Sequence, residues 1–260
     1  MKRSNEIKKK VVYAGDMVPL SFSDYLGEPA CVIFLAGCNF DCGYCQNWQL
    51  KRASEDNLTD LDRIKKVLSE NKLVTACKVT GGEPLLQLDA VIEIGKFAKS
   101  LGLRFGIDTN GSLPEALAQV VPILDMISID LKTELNEKEY AKITRVQPPP
   151  ISSIKRSLEI AMRSEAYVDI RMVIIPGYND DIAKIKAISK TLRDLGYEEK
   201  AAKGRASFVL VEFVPENSID DEYRCISNPS VSMLQDLAKS SDLSNVRVTH
   251  RGIGFYQSVS

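Results

Sequence analysis

Six short apolar runs, each followed by a stretch with helical spacing, constrain this chain more than any other feature. The runs are ACVIFLA (30–36), TACKVT (75–80), LRFGID (103–108), MISIDL (126–131), VDIRMVII (168–175) and SFVLVEFV (207–214). Between them, apolar residues recur on one helical face at Leu61, Ile64, Val67 and Leu68, at Val91, Ile92, Phe97 and Leu101, at Ile154, Leu158 and Ala161, and at Ile182, Ile185, Ile188 and Leu192. A strand-then-helix order repeated about six times implies a parallel sheet with right-handed crossovers and outer helices, closed as a full or partial barrel or left as a doubly wound sheet. At 260 residues and 44% hydrophobic the chain supports one sizeable core. We expect a single α/β domain, residues 1–260, with its core at about 30–214, an N-terminal extension (1–29) and a C-terminal accessory segment (215–260). QPPP (147–150) and EEKAAKGR (198–205) read as surface loops.

In parallel α/β architectures the chemistry sits where strands end, and the polar clusters of this chain fall there. Three cysteines follow the first run, GGEP (81–84) the second, DTNG (108–111) the third, DLK (130–132) the fourth and IPGYND (175–180) the fifth. Each alone is a plausible turn or cap; their joint placement on one rim points to a site. The net charge of −1, with acids and bases interspersed, presents no basic face for nucleic acid. Nowhere do about 18 apolar residues run together, and the basic start MKRSNEIKKKVV leads into no signal-like apolar stretch. The expectation is a cytoplasmic protein with neither a nucleic-acid nor a membrane partner.

Cys38, Cys42 and Cys45 are spaced C-x3-C-x2-C. A tetrahedral zinc site would add a fourth ligand from a second C-x2-C pair or from histidine, yet the one histidine is His250. Cys31 and Cys77 fall inside apolar runs, where a buried free thiol is the ordinary finding, and Cys225 stands alone far downstream. Three thiolates suit an iron–sulfur cube, which normally takes four, with one iron left open to chemistry.

The cysteine spacing, with an aromatic (Tyr44) before the third cysteine, resembles the radical S-adenosylmethionine (SAM) enzymes. The resemblance implies a partial TIM barrel, (β/α)6, in which Cys38, Cys42 and Cys45 hold one [4Fe-4S] cluster. SAM would chelate the open iron, and its reductive cleavage would release a 5′-deoxyadenosyl radical that abstracts hydrogen from a substrate. The hard chemistry would then belong to the cofactors, and positioning to the protein. Gly81, Gly82 and Glu83 look like the GGE motif that receives the methionine amino group; Glu83 would act partly by fixing the loop. Tyr44 is similar to the aromatic near adenine, and Asn47 keeps a family position.

LDMISIDLK (124–132), DTNG, IRMVIIPGYND (170–180) and GGEPLLQ (81–87), in this arrangement, resemble the branch that holds pyruvate formate-lyase activating enzyme and the anaerobic ribonucleotide reductase activating proteins. That branch implies a monovalent cation beside SAM at Asp108, Thr109 and Asp130, with Ser128 at a further, backbone position, and Lys132 and Arg171 near the SAM carboxylate and ribose. SFSDYLG (21–27) is similar to the segment whose aspartate, here Asp24, lies against the partner's glycine loop; Asp24 reads equally as a turn cap. Leu26 stands where a proline is usual and Gln46 where a histidine is common, which leaves the substrate open. Residues 49–74 hold no cysteine, so ligands exist for one cluster. The implied partners are a glycyl-radical enzyme, with anaerobic ribonucleotide reductase a candidate, and a flavodoxin- or ferredoxin-like electron donor. Two alternatives stay open: a small-molecule or peptide substrate, as in the carboxy-deazaguanine synthases, and a closed-cluster electron-transfer protein that binds no SAM. His250 reads as an ordinary surface or core residue.

Overall fold

The computed structural model describes residues 11–258; the basic segment MKRSNEIKKK read above lies outside the described residues. In chain order its strands are β1 (Val11–Ser21), β2 (Ala30–Leu35), β3 (Leu58–Asp60), β4 (Ala76–Gly81), β5 (Arg104–Thr109), β6 (Met126–Asp130), β7 (Tyr167–Ile174), β8 (Ala206–Glu212), β9 (Val246–His250) and β10 (Gly254–Ser258). The helices are α1 (Leu61–Glu70), α2 (Leu88–Ser100), α3 (Pro114–Val120), α4 (Glu137–Thr144), α5 (Ile151–Arg163), α6 (Ile182–Asp194), α7 (Tyr197–Ala202), α8 (Asp221–Arg224) and α9 (Val231–Ser240). One sheet runs β10-β9-β8-β7-β6-β5-β4-β2-β1-β3. From β2 to β9 all neighbours are parallel. β1 and β3 extend one edge and β10 the other, each antiparallel to its neighbour. The two edges do not pair with each other among the described residues, so the parallel strands form an open, partial barrel.

The six expected strands are β2 and β4 to β8, each within two residues of its sequence bounds, and the four expected helices are α1, α2, α5 and α6. Local caps start several helices: Asp60 accepts from Asp62 N (2.9 Å), Asp181 from Ala183 N (2.6 Å) and Ser230 Oγ from Met233 N (3.1 Å). The stretch read as a loop at 198–205 instead contains α7. EEKAA is a run of good helix formers, and the half-exposed-looking Lys200 is buried, with its ammonium donating to Ser164 O (2.5 Å). In the C-terminal segment, β9 continues the parallel sheet as a seventh strand beside β8.

Two layers of side chains result. Between sheet and helices lies a continuous apolar core, including Ile33, Val79, Ile107, Ile127, Ile170 and Phe208. Inside the barrel, the N-terminal strand ends are plugged by Tyr25, buried against Ala30, Ala76 and Met126 with Leu26 and Tyr167 alongside. Tyr25 comes from the connection between β1 and β2, so that connection enters the barrel and sets the floor above which the site opens. No helix among the described residues is long and apolar enough to cross a membrane.

Candidate functional site

A cavity of about 480 Å³ opens above Tyr25, at the C-terminal ends of the parallel strands. Its walls carry Cys38, Cys42, Cys45, Tyr44 and Asn47 from the loop after β2, Gly81 and Gly82 at the end of β4, Asp108 and Thr109 from β5, and Asp130 and Lys132 at the end of β6. Arg171 of β7 and Asp24 from the floor connection complete the set read from the sequence. Glu83 and Ser128 do not line the cavity. Cys31 and Cys77 pair in register on β2 and β4 and are fully buried; they and the exposed Cys225 are not on its walls.

The cysteine loop is fastened on several sides. Gly37 N donates to Leu50 O (2.7 Å) and Cys38 N to Lys51 O (3.0 Å), closing the loop at its base. Asn39 donates to Ser112 Oγ (2.7 Å) and accepts from Asn110 Nδ2 (2.9 Å), tying it to the loop after β5, while Asn47 Nδ2 donates to Gly81 O (3.3 Å). The C-terminal segment braces its outer face. Asp220 N donates to Gly43 O (3.2 Å), Asp220 forms an ion pair with Arg145, and the Tyr223 ring meets Tyr44 at 5.9 Å and Tyr178 at 5.1 Å. Burial pushes all three thiols up, Cys42 to about 12. Phe40 N donates to Cys38 Sγ (3.4 Å), and the Asn47 N–H and the charges of Lys132 and Lys51 work against burial at Cys45.

The glycine pair holds strand ends together. Gly81 has φ +121°, and a Cβ there would lie 2.2 Å from Leu35 O; one on Gly82 would lie 2.1 Å from Gly37 O. Both glycines are therefore required by the approach of the β4 end to the cysteine loop, where Gly82 N donates to Leu35 O (2.9 Å) and Glu83 N to Gly37 O (2.8 Å). Glu83 turns away beneath this junction. Fully buried, its carboxyl accepts from Leu85 N (3.1 Å), Thr109 Oγ1 (2.9 Å) and Asn110 N (2.7 Å). Burial outweighs these three donors and raises its pKa to about 7. These bonds tie the end of β4 to the loop after β5.

Lys132 donates to Asp130 Oδ2 (2.9 Å); burial opposes its charge, but Asp130, Tyr44 and Cys42 outweigh it and hold the ammonium well above its usual pKa. The loop bearing it is steadied by Asn179, whose Nδ2 donates to Lys132 O and Val173 O (2.8 Å each). IPGYND thus supports the rim from behind. Asp24 accepts from the Ser21 hydroxyl (2.5 Å) and lines the cavity. His250 lies off the cavity, its Nε2 3.7 Å from Glu212 and its Nδ1 accepting from Gly252 N (2.8 Å); its neighbour Thr249 lines the cavity, as do Val173, Val209, Val211 and Phe34.

Sequence reasoning missed the polar layer below the cavity. Lys78, Asp169 and Ser207 sit within strands read as apolar and are buried, together with Ser128, which was expected only through its backbone. Lys78 Nζ lies 2.6 Å from Asp108 Oδ1 and donates to Asp24 O (2.6 Å) and Ser128 Oγ (3.3 Å). Arg171 bonds Asp169 (2.7 Å) and Asp108 (3.4 Å), and Ser207 donates to Asp169 (2.6 Å). The available signal was spacing: Lys78 and Thr80, Ser128 and Asp130, and Asp169 and Arg171 alternate on one strand face, the one turned into the barrel.

The profile of the Radical SAM superfamily matches residues 32–187. The chain belongs to that superfamily. This radical SAM enzyme is 28% identical over 228 residues to a Methanocaldococcus jannaschii protein provisionally named a glycyl-radical enzyme activating enzyme, covering 86% of this chain and 89% of that one. It is 28% identical over 182 residues to pyruvate formate-lyase 1-activating enzyme of Escherichia coli K12, covering 65% of this chain and 70% of the relative. Among solved structures, a radical SAM methyltransferase from Sphaerobacter thermophilus superposes with a TM-score of 0.64 at 15% identity, over 89% of this chain and 69% of that one. That likeness shows the shared fold.

The superfamily implies a [4Fe-4S] cluster and SAM, and the residues present fit both. Three cysteines and no fourth line the cavity. No three His, Cys, Asp or Glu side chains among the described residues converge closely enough to hold a single metal ion, while a cube spreads its ligands over a wider span. Lys132, Lys51 and Arg171 supply positive charge on the same walls, where an anionic cluster and a carboxylate need it.

Proposed function

We propose that this radical SAM enzyme is an activase that removes a hydrogen atom from one glycine of a partner glycyl-radical enzyme. The observation that carries the reading is that Asp24, on the segment that resembles the partner-facing motif, lines the same cavity as Cys38, Cys42 and Cys45. The similarity to activating enzymes over most of the chain supports it.

Cys38, Cys42 and Cys45 would hold the cluster, and the Gly81–Gly82 backbone, Lys132 and Arg171 the methionine end and ribose of SAM. Bound there, the two cofactors supply a one-electron reductive cleavage and an acceptor for a carbon-bound hydrogen atom. Phe34, Val173, Val209 and Val211 form an apolar wall that keeps water from the reacting centre. Asp24, oriented by Ser21, can accept hydrogen bonds from the backbone of an incoming glycine loop and hold its α-carbon in place. The glycine is a feasible donor because the product radical is delocalised over the flanking amide groups. One cluster suffices, and the electron would come from a flavodoxin- or ferredoxin-like donor.

The test is anaerobic reconstitution with iron and sulfide, reduction in the presence of SAM, and incubation with glycyl-radical enzymes, anaerobic ribonucleotide reductase and pyruvate formate-lyase among them. The reading predicts 5′-deoxyadenosine and a doublet radical signal on the partner by electron paramagnetic resonance, both lost in Cys42→Ala. Turnover of a small metabolite with no partner radical would replace the activase with the small-molecule reading, and wild-type behaviour of Cys42→Ala would remove the radical chemistry altogether.

A further inference from the structure

The expected monovalent cation does not fit the residues assigned to it. Asp108 Oδ1 is taken by Lys78 Nζ at 2.6 Å and lies 3.4 Å from Arg171 Nη1. Thr109 Oγ1 donates to Glu83 and accepts from Gly111 N (3.1 Å). Asp130 Oδ2 is held by Lys132 (2.9 Å). A free cation added here would be a third positive charge around one carboxylate. Repulsion from two fixed cations would oppose it at close range in a poorly screened interior.

Lys78 itself has the properties that the site asks of an ion. Its side chain is wholly buried, and an ammonium is a compact point charge with three donors. Three oxygens receive those donors: the Asp108 carboxylate, the Asp24 carbonyl and the Ser128 hydroxyl. A backbone carbonyl can only accept, so the nitrogen must present a hydrogen to it. One of the three partners, Asp108, is a carboxylate at which the cation was expected, and Ser128, expected through its backbone, contributes its hydroxyl instead.

We infer that Lys78 is a tethered cation: its ammonium, just below the cavity, supplies at Asp108 the charge expected of an exchangeable ion, so SAM binding in this chain needs no alkali metal ion. Because the charge is covalently attached, its occupancy does not depend on salt, and its bond to Asp24 O links the cofactor floor to the connection that carries the partner-facing carboxylate. Lys78 acts here as a positioning residue, holding Asp108 and Asp24. The inference rests on the SAM-binding reading of the cavity and not on the identity of the hydrogen donor.

The experiment uses the reconstituted enzyme in buffers whose only small cation is tetramethylammonium, with KCl or NaCl exchanged in at constant ionic strength. SAM affinity is measured by calorimetry and by the change in the reduced cluster's paramagnetic resonance spectrum, and 5′-deoxyadenosine formation is followed alongside. The wild type is expected to bind SAM equally in all three salts. Lys78→Met, close in length but uncharged, is expected to lose about tenfold or more in affinity without alkali ions, as for loss of a charged hydrogen bond, and to regain part of it with K⁺ or Na⁺. A merely structural lysine would show no such cation rescue. A wild type that binds SAM about tenfold more tightly in KCl or NaCl would overturn the inference while leaving the SAM reading intact; absence of SAM binding in every salt would overturn both. Should Lys78→Met fail to fold, the wild-type salt series decides alone.

Discussion

Glu83 offers the most quantitative check on how the site is built. Its carboxyl is fully buried and faces three donors, yet burial holds its pKa at about 7 against an ordinary 4.5. Between those two values the native state binds more protons than the unfolded chain, so stability must fall as pH rises through the window and level off above about 7. A rise of this size corresponds to about 3 kcal/mol in full, of which about 2 kcal/mol falls between pH 5 and 8. Glu83→Gln removes the titration. It also sets an amide NH2 against either the Asn110 or the Leu85 N–H, a conflict costing about 1–2 kcal/mol at every pH. Urea unfolding of the cluster-free protein at pH 5, 6, 7 and 8 should therefore show the variant gaining on the wild type by about 2 kcal/mol across the series. A wild-type-minus-variant difference that stays flat would refute the burial argument. A variant with unchanged stability that no longer binds SAM would refute the loop-tying role and put the carboxylate on the cofactor.

Gly82→Ala would drive a Cβ to 2.1 Å from Gly37 O, a contact with backbone that cannot swing aside; we expect a loss of about 2–3 kcal/mol in urea unfolding and poor cluster retention by iron analysis. Tyr223→Ala removes a buried ring packed on Tyr44, Tyr178 and Phe213, with an expected cost of about 3–5 kcal/mol and slower cluster assembly followed by visible absorbance. Asp24→Asn should leave 5′-deoxyadenosine formation without partner near wild type, while lowering glycyl-radical yield by about tenfold or more; equal losses in both assays would assign Asp24 to the cofactor floor alone.

The barrel strands and the rim were readable in the sequence because near-continuous apolar runs and the glycine and carboxylate clusters that follow them are local signals. β2 and β4 to β8 fall where spacing put them, and Cys38, Cys42, Cys45, Gly81, Gly82, Asp108, Thr109, Asp130 and Lys132 line one cavity. What spacing could not show was long-range. The role of Gly81 and Gly82 in letting the β4 end meet Leu35 and Gly37 depends on neighbours more than forty residues away. Lys78 read as an interruption of an apolar run, since its three oxygen partners come from the floor connection, β5 and β6. VRVTH at 246–250 is as short as β6, and its place beside β8 is a long-range fact that no local pattern shows. The bracing of the cysteine loop by Asp220 and Tyr223 likewise left no pattern in the C-terminal segment.

The central claim is that the cavity delivers a hydrogen atom from a partner's glycine to the SAM-derived nucleoside. The most direct measurement uses a glycyl-radical enzyme labelled with α-deuterated glycine, incubated anaerobically with the reconstituted, reduced protein and SAM, followed by mass analysis of the 5′-deoxyadenosine. The account predicts one deuterium in that product together with the partner's glycyl radical signal. Product free of deuterium, with no radical on the partner, would contradict it.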